Sequence, residues 1–180
     1  CLRRGLRRAH AMTGRAVVTH SLPPVWDAHS RVLILGTMPS PASRAQGFYY
    51  GHPQNRFWRV LAAVLGEADP AADPAVRREF ALRHGIALFD VLRRCEIAGA
   101  SDASIRAGEP NDFSAILAGA DIRAVFTTGK RAFALYERLC LPATGRPAVC
   151  LPSPSAANCR MSLGELIRAY APIRAVLEEA

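Results

Sequence analysis

The chain has 180 residues, half of them apolar and 21% charged, which suits one domain with a core of its own. No run approaches the roughly 18 apolar residues of a membrane span, and the five cysteines form neither a C-x-x-C pair nor a Cys/His set with zinc-ligand spacing. The net charge is +8, but Arg3, Arg4, Arg7, Arg8 and Arg15 supply five of those charges, leaving 18 basic against 15 acidic residues from position 16 onward. High basicity is therefore weak evidence for a nucleic-acid surface. Residues 1–15 are expected to be a basic, disordered arm, lacking the apolar stretch of a secretory signal, and residues 16–180 a single domain. Cys95, Cys140, Cys150 and Cys159 read as buried apolar fillers, and the unpaired thiols suit a reduced, cytoplasmic setting.

In chain order, "RVLILG" (31–36) reads as a buried strand. "NRFWRVLAAVLG" reads as a helix, with Phe57, Val60, Leu61 and Val64 on one face and Gly66 as its stop. "DPAVRREFALRHG" is a second helix, capped by Asp73, opened by Pro74 and closed by Gly85. "IALFDV" is the second strand, and "PNDFSAILAG" opens on an Asn/Asp cap before a short helix. "IRAVFTTG" is the third strand, "KRAFALYERL" the helix that follows Gly129, and "PAVCLPS" the fourth strand. Leu163, Leu166, Ile167, Tyr170 and Ile173 keep helical spacing through a last helix at 162–178, which contains Pro172. Strands alternating with helices predict an α/β fold: three layers, α/β/α, around a mostly parallel four-stranded sheet.

Ligands of such sheets bind beyond the carboxyl ends of the strands. "GTMPSP" after strand one, Asp90 at the end of strand two, "TTGK" after strand three and "LPSPSAAN" after strand four all fall there. The first offers small residues and main-chain N–H groups, but no Gly-Lys-Ser/Thr follows as in a P-loop. Lys130 in "TTGK" is open to phosphate contact or to simple solvation. Ser153 and Ser155 of the proline-stiffened "LPSPSAANCR" are candidate donors to phosphate oxygens. There is no G-x-S-x-G elbow or H-E-x-x-H pair, and nothing in the spacing of Ser40, His52 and Asp90 selects them as a triad. "GFYYGHPQNRFWRVL" concentrates six aromatic or imidazole rings in fifteen positions. Its Gly47–Asn55 half reads as a site lining, and the half from Arg56 onward as an anchoring helix.

Taken together, "LILGTMPSPASRAQGFYYGHPQNRFWRVL", "GIALFDVLRRCEIAGASDASIR", "PNDF" and "LPSPSAAN" resemble the hypoxanthine-DNA glycosylase family of the uracil-DNA glycosylase superfamily. The opening also resembles the mismatch-specific uracil-DNA glycosylases. The resemblance implies a monofunctional DNA glycosylase that hydrolyses the N-glycosidic bond of a flipped deaminated base, hypoxanthine above all. Its substrate would be double-stranded or single-stranded DNA, and it would work as a monomer without cofactor, metal or membrane. The catalytic Asn of that family falls on Asn55, in the H-P-x-N motif. The loop after strand one lacks the Asp or Asn carried by most of the superfamily, and Leu151 stands where many relatives carry His.

On that resemblance Gly36, Thr37, Met38, Pro39, Ser40, Phe48, Tyr50 and Asp90 form the base pocket and stabilise the leaving base. Ser153, Pro154, Ser155, Asn158 and Lys130 bind the DNA backbone. Phe48 or Tyr50 would stack on the base, with Tyr49 turned away if the stretch is extended. Main-chain N–H groups of the 37–40 loop would stabilise the charge on the leaving base, and Asn55 would orient a water by accepting its hydrogen bond. Asp90 either orders water or ends its strand, and Arg56 and Arg59 either contact phosphate or are solvated. Three other readings remain: uracil, xanthine or mismatch excision; a non-catalytic damaged-DNA-binding module; and a flavodoxin-like esterase using Ser40 or Ser153.

Overall fold

The computed structural model describes residues 14–99 and 101–179, so the expected arm lies outside the described residues except for Gly14 and Arg15. Four parallel strands form the central sheet: β2 (Val32–Gly36), β3 (Ile86–Asp90), β6 (Ala124–Thr128) and β7 (Ala148–Leu151), in the order β3-β2-β6-β7. All five residues of β2 and of β3 are buried, which is why both read as uninterrupted apolar runs. The chain leaves β2 toward β3 and later leaves β6 in the opposite direction. Right-handed crossovers then put the helices of these two connections on opposite faces. The order reverses between β2 and β6, so the open crevice of the fold lies at their carboxyl ends.

Helices α1 (Pro41–Gln46), α2 (Phe57–Leu65) and α3 (Pro74–Arg83) connect β2 to β3. Asp73 accepts from the N–H groups of Ala75 and Val76, as the capping pattern predicts, and Gly66 closes α2 in the left-handed region at φ 72°. α4 (Ser114–Gly119) precedes β6, while α5 (Lys130–Leu139) and α6 (Leu141–Thr144) lead to β7. α7 (Leu163–Glu178) opens on a reciprocal Ser162/Glu165 capping box, continues through Pro172, and packs against α2 and β2.

A second sheet departs from the predicted architecture. β1 (Ala16–Thr19), β4 (Leu92–Ile97) and β5 (Arg106–Pro110) pair antiparallel in the order β1-β4-β5. Only Val91 separates the end of β3 from the start of β4, so the chain passes directly from one sheet to the other. Val91 N donates to Gly36 O at 2.8 Å and Leu92 N to Thr37 O at 3.1 Å, fastening this junction to the loop after β2. Asn111 of the "PNDF" stretch completes it, donating from Nδ2 to the carbonyls of Asp90 and Leu92 at 2.9 and 3.0 Å. The cysteines divide: Cys95 and Cys140 are buried, whereas Cys150 and Cys159 are exposed, against expectation. Cys150 lies on the edge strand β7 and Cys159 in the turn before α7, where no layer covers them.

Candidate active site

A cleft of about 480 Å³ opens at the carboxyl ends of the parallel strands, within the roughly 300–1,000 Å³ of small-ligand sites. One wall is the 36–40 loop after β2. The Ser40 hydroxyl fixes its end, accepting from Ser43 N at 3.1 Å to cap α1. Ser43 Oγ in turn accepts from Gly51 N at 3.0 Å, tying this wall to the aromatic segment. Arg44, also at the cleft, donates to Pro39 O at 2.8 Å.

The aromatic segment forms the second wall, although it is not extended. Gly47 at φ 74° and Tyr50 at φ 52° turn the chain, and that turn reassigns the rings. Phe48 is corrected: it stacks on Trp58 with centroids 5.9 Å apart, is buried, and does not line the cleft. Tyr49, expected to point away, lines the cleft instead, its hydroxyl donating to Pro23 O at 3.0 Å. Tyr50 stacks face to face on Phe57, centroids 3.7 Å apart and planes 14° apart, and its hydroxyl pairs with Thr128 Oγ1 at 3.0 Å. Burial first and the Asp90 charge second push both phenols well above their usual range, so both are neutral groups.

Asn55 stands at the end of this wall, one residue before the α2 cap. Phe57 N–H donates to its Oδ1 at 2.9 Å, which fixes the amide orientation. Nδ2 donates to no described residue, so the side chain offers the cleft an amide donor and the second lone pair of Oδ1. His52 lies outside the cleft, exposed, with Nδ1 accepting from Gln54 N at 3.1 Å, so Ser40, His52 and Asp90 do not assemble as a triad.

Asp90 forms the floor, 4% exposed at the end of β3. Its Oδ2 accepts from His20 Nε2 at 2.8 Å; the carboxylate can only accept, so Nε2 carries the proton. Its Oδ1 accepts no hydrogen bond from the described residues. That oxygen lies so close to Gly36 that a Cβ there would stand 2.5 Å from it, which explains the glycine. A second carboxyl, Asp102, reaches the cleft from the turn between β4 and β5. Although the residue as a whole is exposed, desolvation raises its carboxyl above the usual range and Asp90 adds to this, against the Thr37 hydroxyl and Arg131.

The last wall is the loop after β7, where Ser153, Pro154, Ser155 and Asn158 line the cleft. Arg56 holds this loop from beneath: its guanidinium donates to the carbonyls of Met161, Ser155 and Asn158 at 2.6, 3.1 and 2.7 Å, and its own N–H to Pro154 O at 3.0 Å. Tyr170 OH adds a bond to Pro152 O at 2.8 Å. Ser153 and Ser155 each use a lone pair within the loop, accepting from Ser155 N and Ala157 N, which leaves both O–H groups for a ligand. Arg59, by contrast, is exposed beside Asp69 at 3.9 Å. Lys130 is exposed at the first position of α5 and is not part of the cleft wall.

Twelve of the fourteen residues singled out from sequence thus line one cleft, Phe48 and Lys130 being the exceptions. Arg44 and Asp102 also line it and were not singled out, Tyr49 was expected to point away, and Thr128 entered only within "TTGK"; His20, behind Asp90, was not singled out either. Among the described residues no cluster of three or more His, Cys, Asp or Glu could hold a metal ion, and no helix is long and apolar enough to cross a membrane.

Residues 23–179 match the model of the uracil DNA glycosylase superfamily. The chain is 37% identical over 139 residues to a hypoxanthine DNA glycosylase of Methanosarcina barkeri, covering 77% of this chain and 87% of that one. It is 35% identical over 150 residues to a hypoxanthine DNA glycosylase of Methanosarcina acetivorans, covering 81% and 92%. The solution NMR structure of a candidate uracil DNA glycosylase from M. acetivorans superposes with a TM-score of 0.73 at 31% identity, over 89% of this chain and 99% of that one. With the fold, the cleft and the sequence in agreement, the chain belongs to the uracil DNA glycosylase superfamily.

Proposed function

We propose that this chain is a monofunctional DNA glycosylase that removes deaminated bases from DNA, hypoxanthine first among them, and leaves an abasic site. The observation that carries this reading is a free acceptor, Asp90 Oδ1, in the same cleft as a free amide donor, Asn55 Nδ2, beside the Tyr50 ring. Deamination of adenine turns the N1 lone pair into an N–H and the amino group into a carbonyl. A carboxylate accepts from the N1–H of hypoxanthine but meets a second lone pair in adenine, so the site favours the damaged base.

The target base lies inside a duplex and must be flipped out, at a cost of a few kcal/mol that is smaller for a mismatched pair. Stacking on Tyr50 offsets about 1–3 kcal/mol of this, and the Phe57 ring behind Tyr50 holds it in place. As the C1′–N bond lengthens, the sugar becomes oxocarbenium-like and negative charge moves onto the base, where the 37–40 main chain and Asn55 Nδ2 can stabilise it. Water, oriented by the remaining Oδ1 lone pair of Asn55, attacks C1′. Its hydroxyl stays on the sugar and its proton ends on the released base. Asn is too weak a base to drive this alone, which suits a leaving group with an acidic ring N–H.

Two features favour hypoxanthine over uracil. Leu151, where many relatives carry a His donor, is 2% exposed and adds no polar group to the site. The curated relatives above bear the name of that activity. Ser153, Ser155 and Asn158 hold the DNA backbone at the cleft rim, and Lys130 adds charge beside them. The test is a base-release panel over duplexes carrying deoxyinosine, deoxyuridine, deoxyxanthosine or unmodified bases, read as strand cleavage after alkali. Inosine strands are expected to be cleaved first; if all remain intact with protein in excess, the glycosylase reading fails.

A further inference from the structure

His20 belongs to none of the motifs above, yet it is the group that touches Asp90. It follows β1 in the antiparallel sheet, where its N donates to Arg93 O at 2.7 Å and so extends the ladder to β4. Its side chain is 3% exposed and that of Asp90 5%, so the 2.8 Å bond between them is shielded from water. Phe89 meets the imidazole edge-on at 5.2 Å and Tyr49 lies 6.1 Å away, leaving the ring little freedom to turn. The pair joins the two sheets: β3 supplies the carboxylate, and His20, the residue after β1, supplies its donor.

We propose that His20 is the positioning residue for base selection. It occupies Asp90 Oδ2 and thereby turns the carboxylate so that Oδ1, held against Gly36, is the acceptor offered to a base bearing a ring N–H. A carboxylate without this donor turns freely, or draws its hydrogen bonds from the cleft side, and no longer presents a fixed acceptor. The inference rests on the base-reading role of Asp90 proposed above. His20 itself does not line the cleft and acts only through Asp90.

The experiment compares duplexes carrying deoxyinosine with duplexes carrying the deoxyriboside of unsubstituted purine, whose N1 is a lone pair. The parent is expected to prefer inosine. H20F keeps a ring but loses the donor, and is expected to reduce the inosine-to-purine ratio about ten- to hundredfold, the scale of one hydrogen bond to a charged group. H20Q retains an N–H donor and is expected to restore much of the ratio, which a merely structural role would not explain. Parent-like discrimination in H20F overturns the proposal. If H20F fails to fold, NMR of the parent decides: a slowly exchanging imidazole Nε2–H that disappears in D90A, which removes the acceptor, supports the proposal, and its absence from the parent overturns it. A parent that releases neither base overturns the glycosylase reading itself, an outcome distinct from unchanged discrimination in H20F.

Discussion

Replacing Gly36 by Ala tests how closely the floor of the cleft is packed. The added Cβ would stand 2.5 Å from Asp90 Oδ1 and 3.5 Å from the Tyr50 hydroxyl, so the carboxylate must retreat by about 0.9 Å to reach ordinary contact. It cannot do so freely, because Oδ2 is bound to His20 at 2.8 Å and the β3–β4 junction behind it is fastened to the 36–37 main chain. Overpacking of this kind costs about 1–3 kcal/mol, or roughly 2–12 °C of melting temperature in a domain of this size. A displacement near 1 Å at a reacting site costs about a hundredfold in rate. Single-turnover release of hypoxanthine should therefore fall about a hundredfold in G36A, while binding to an abasic-site duplex, which carries no base to read, stays near the parent value. A parent-like rate in a folded G36A would refute the placement of Asp90 against the base.

Arg56→Ala should lower stability by about 2–4 kcal/mol in urea unfolding, since three carbonyls lose a charged donor. It should leave the salt dependence of DNA binding unchanged, whereas a phosphate contact would reduce the slope by about one. Asn55→Ala removes an acceptor at the start of α2, costing about 1 kcal/mol, and should abolish most base release while DNA binding persists. Asp102→Asn should raise the melting temperature at neutral pH. A carboxyl raised in the folded state penalises folding once ionised, so this gain should vanish below about pH 3.9, where the unfolded carboxyl is protonated too. A stabilisation that persists at low pH would contradict that origin.

The parallel sheet was legible because both faces of β2 and β3 are covered, so "VLILG" and "IALFD" carry no polar interruption before the site residue itself. The helix limits at Asp73, Gly66 and Ser162 were legible because each end needs a local partner for its unpaired main-chain groups. The antiparallel sheet was not, because three of the four residues of β1 are exposed and β4, "LRRCEI", turns Leu92, Cys95 and Ile97 to the core without strict alternation; the bond between His20 and Asp90 ties this sheet to the parallel one. No local pattern in the sequence could join two residues seventy positions apart. The exchange of Phe48 for Tyr49 in the cleft has a different cause: strand alternation fails where Gly47 and Tyr50 both take positive φ. Arg56, left between phosphate contact and solvation by the sequence, does neither: its guanidinium is spent on the carbonyls of the loop after β7, partners about a hundred positions away.

Excision of hypoxanthine in the cleft at the carboxyl edge of the sheet is proposed to depend on Asn55 as its catalytic side chain. The most direct measurement is stoichiometric detection of free hypoxanthine from an inosine duplex, under single turnover, with the parent protein and Asn55→Ala side by side. One free base and one abasic site per parent active site are expected, with a rate at least about a hundredfold lower in the variant despite retained DNA binding. Equal rates in the two proteins, or an inosine strand left intact by the parent, would contradict it.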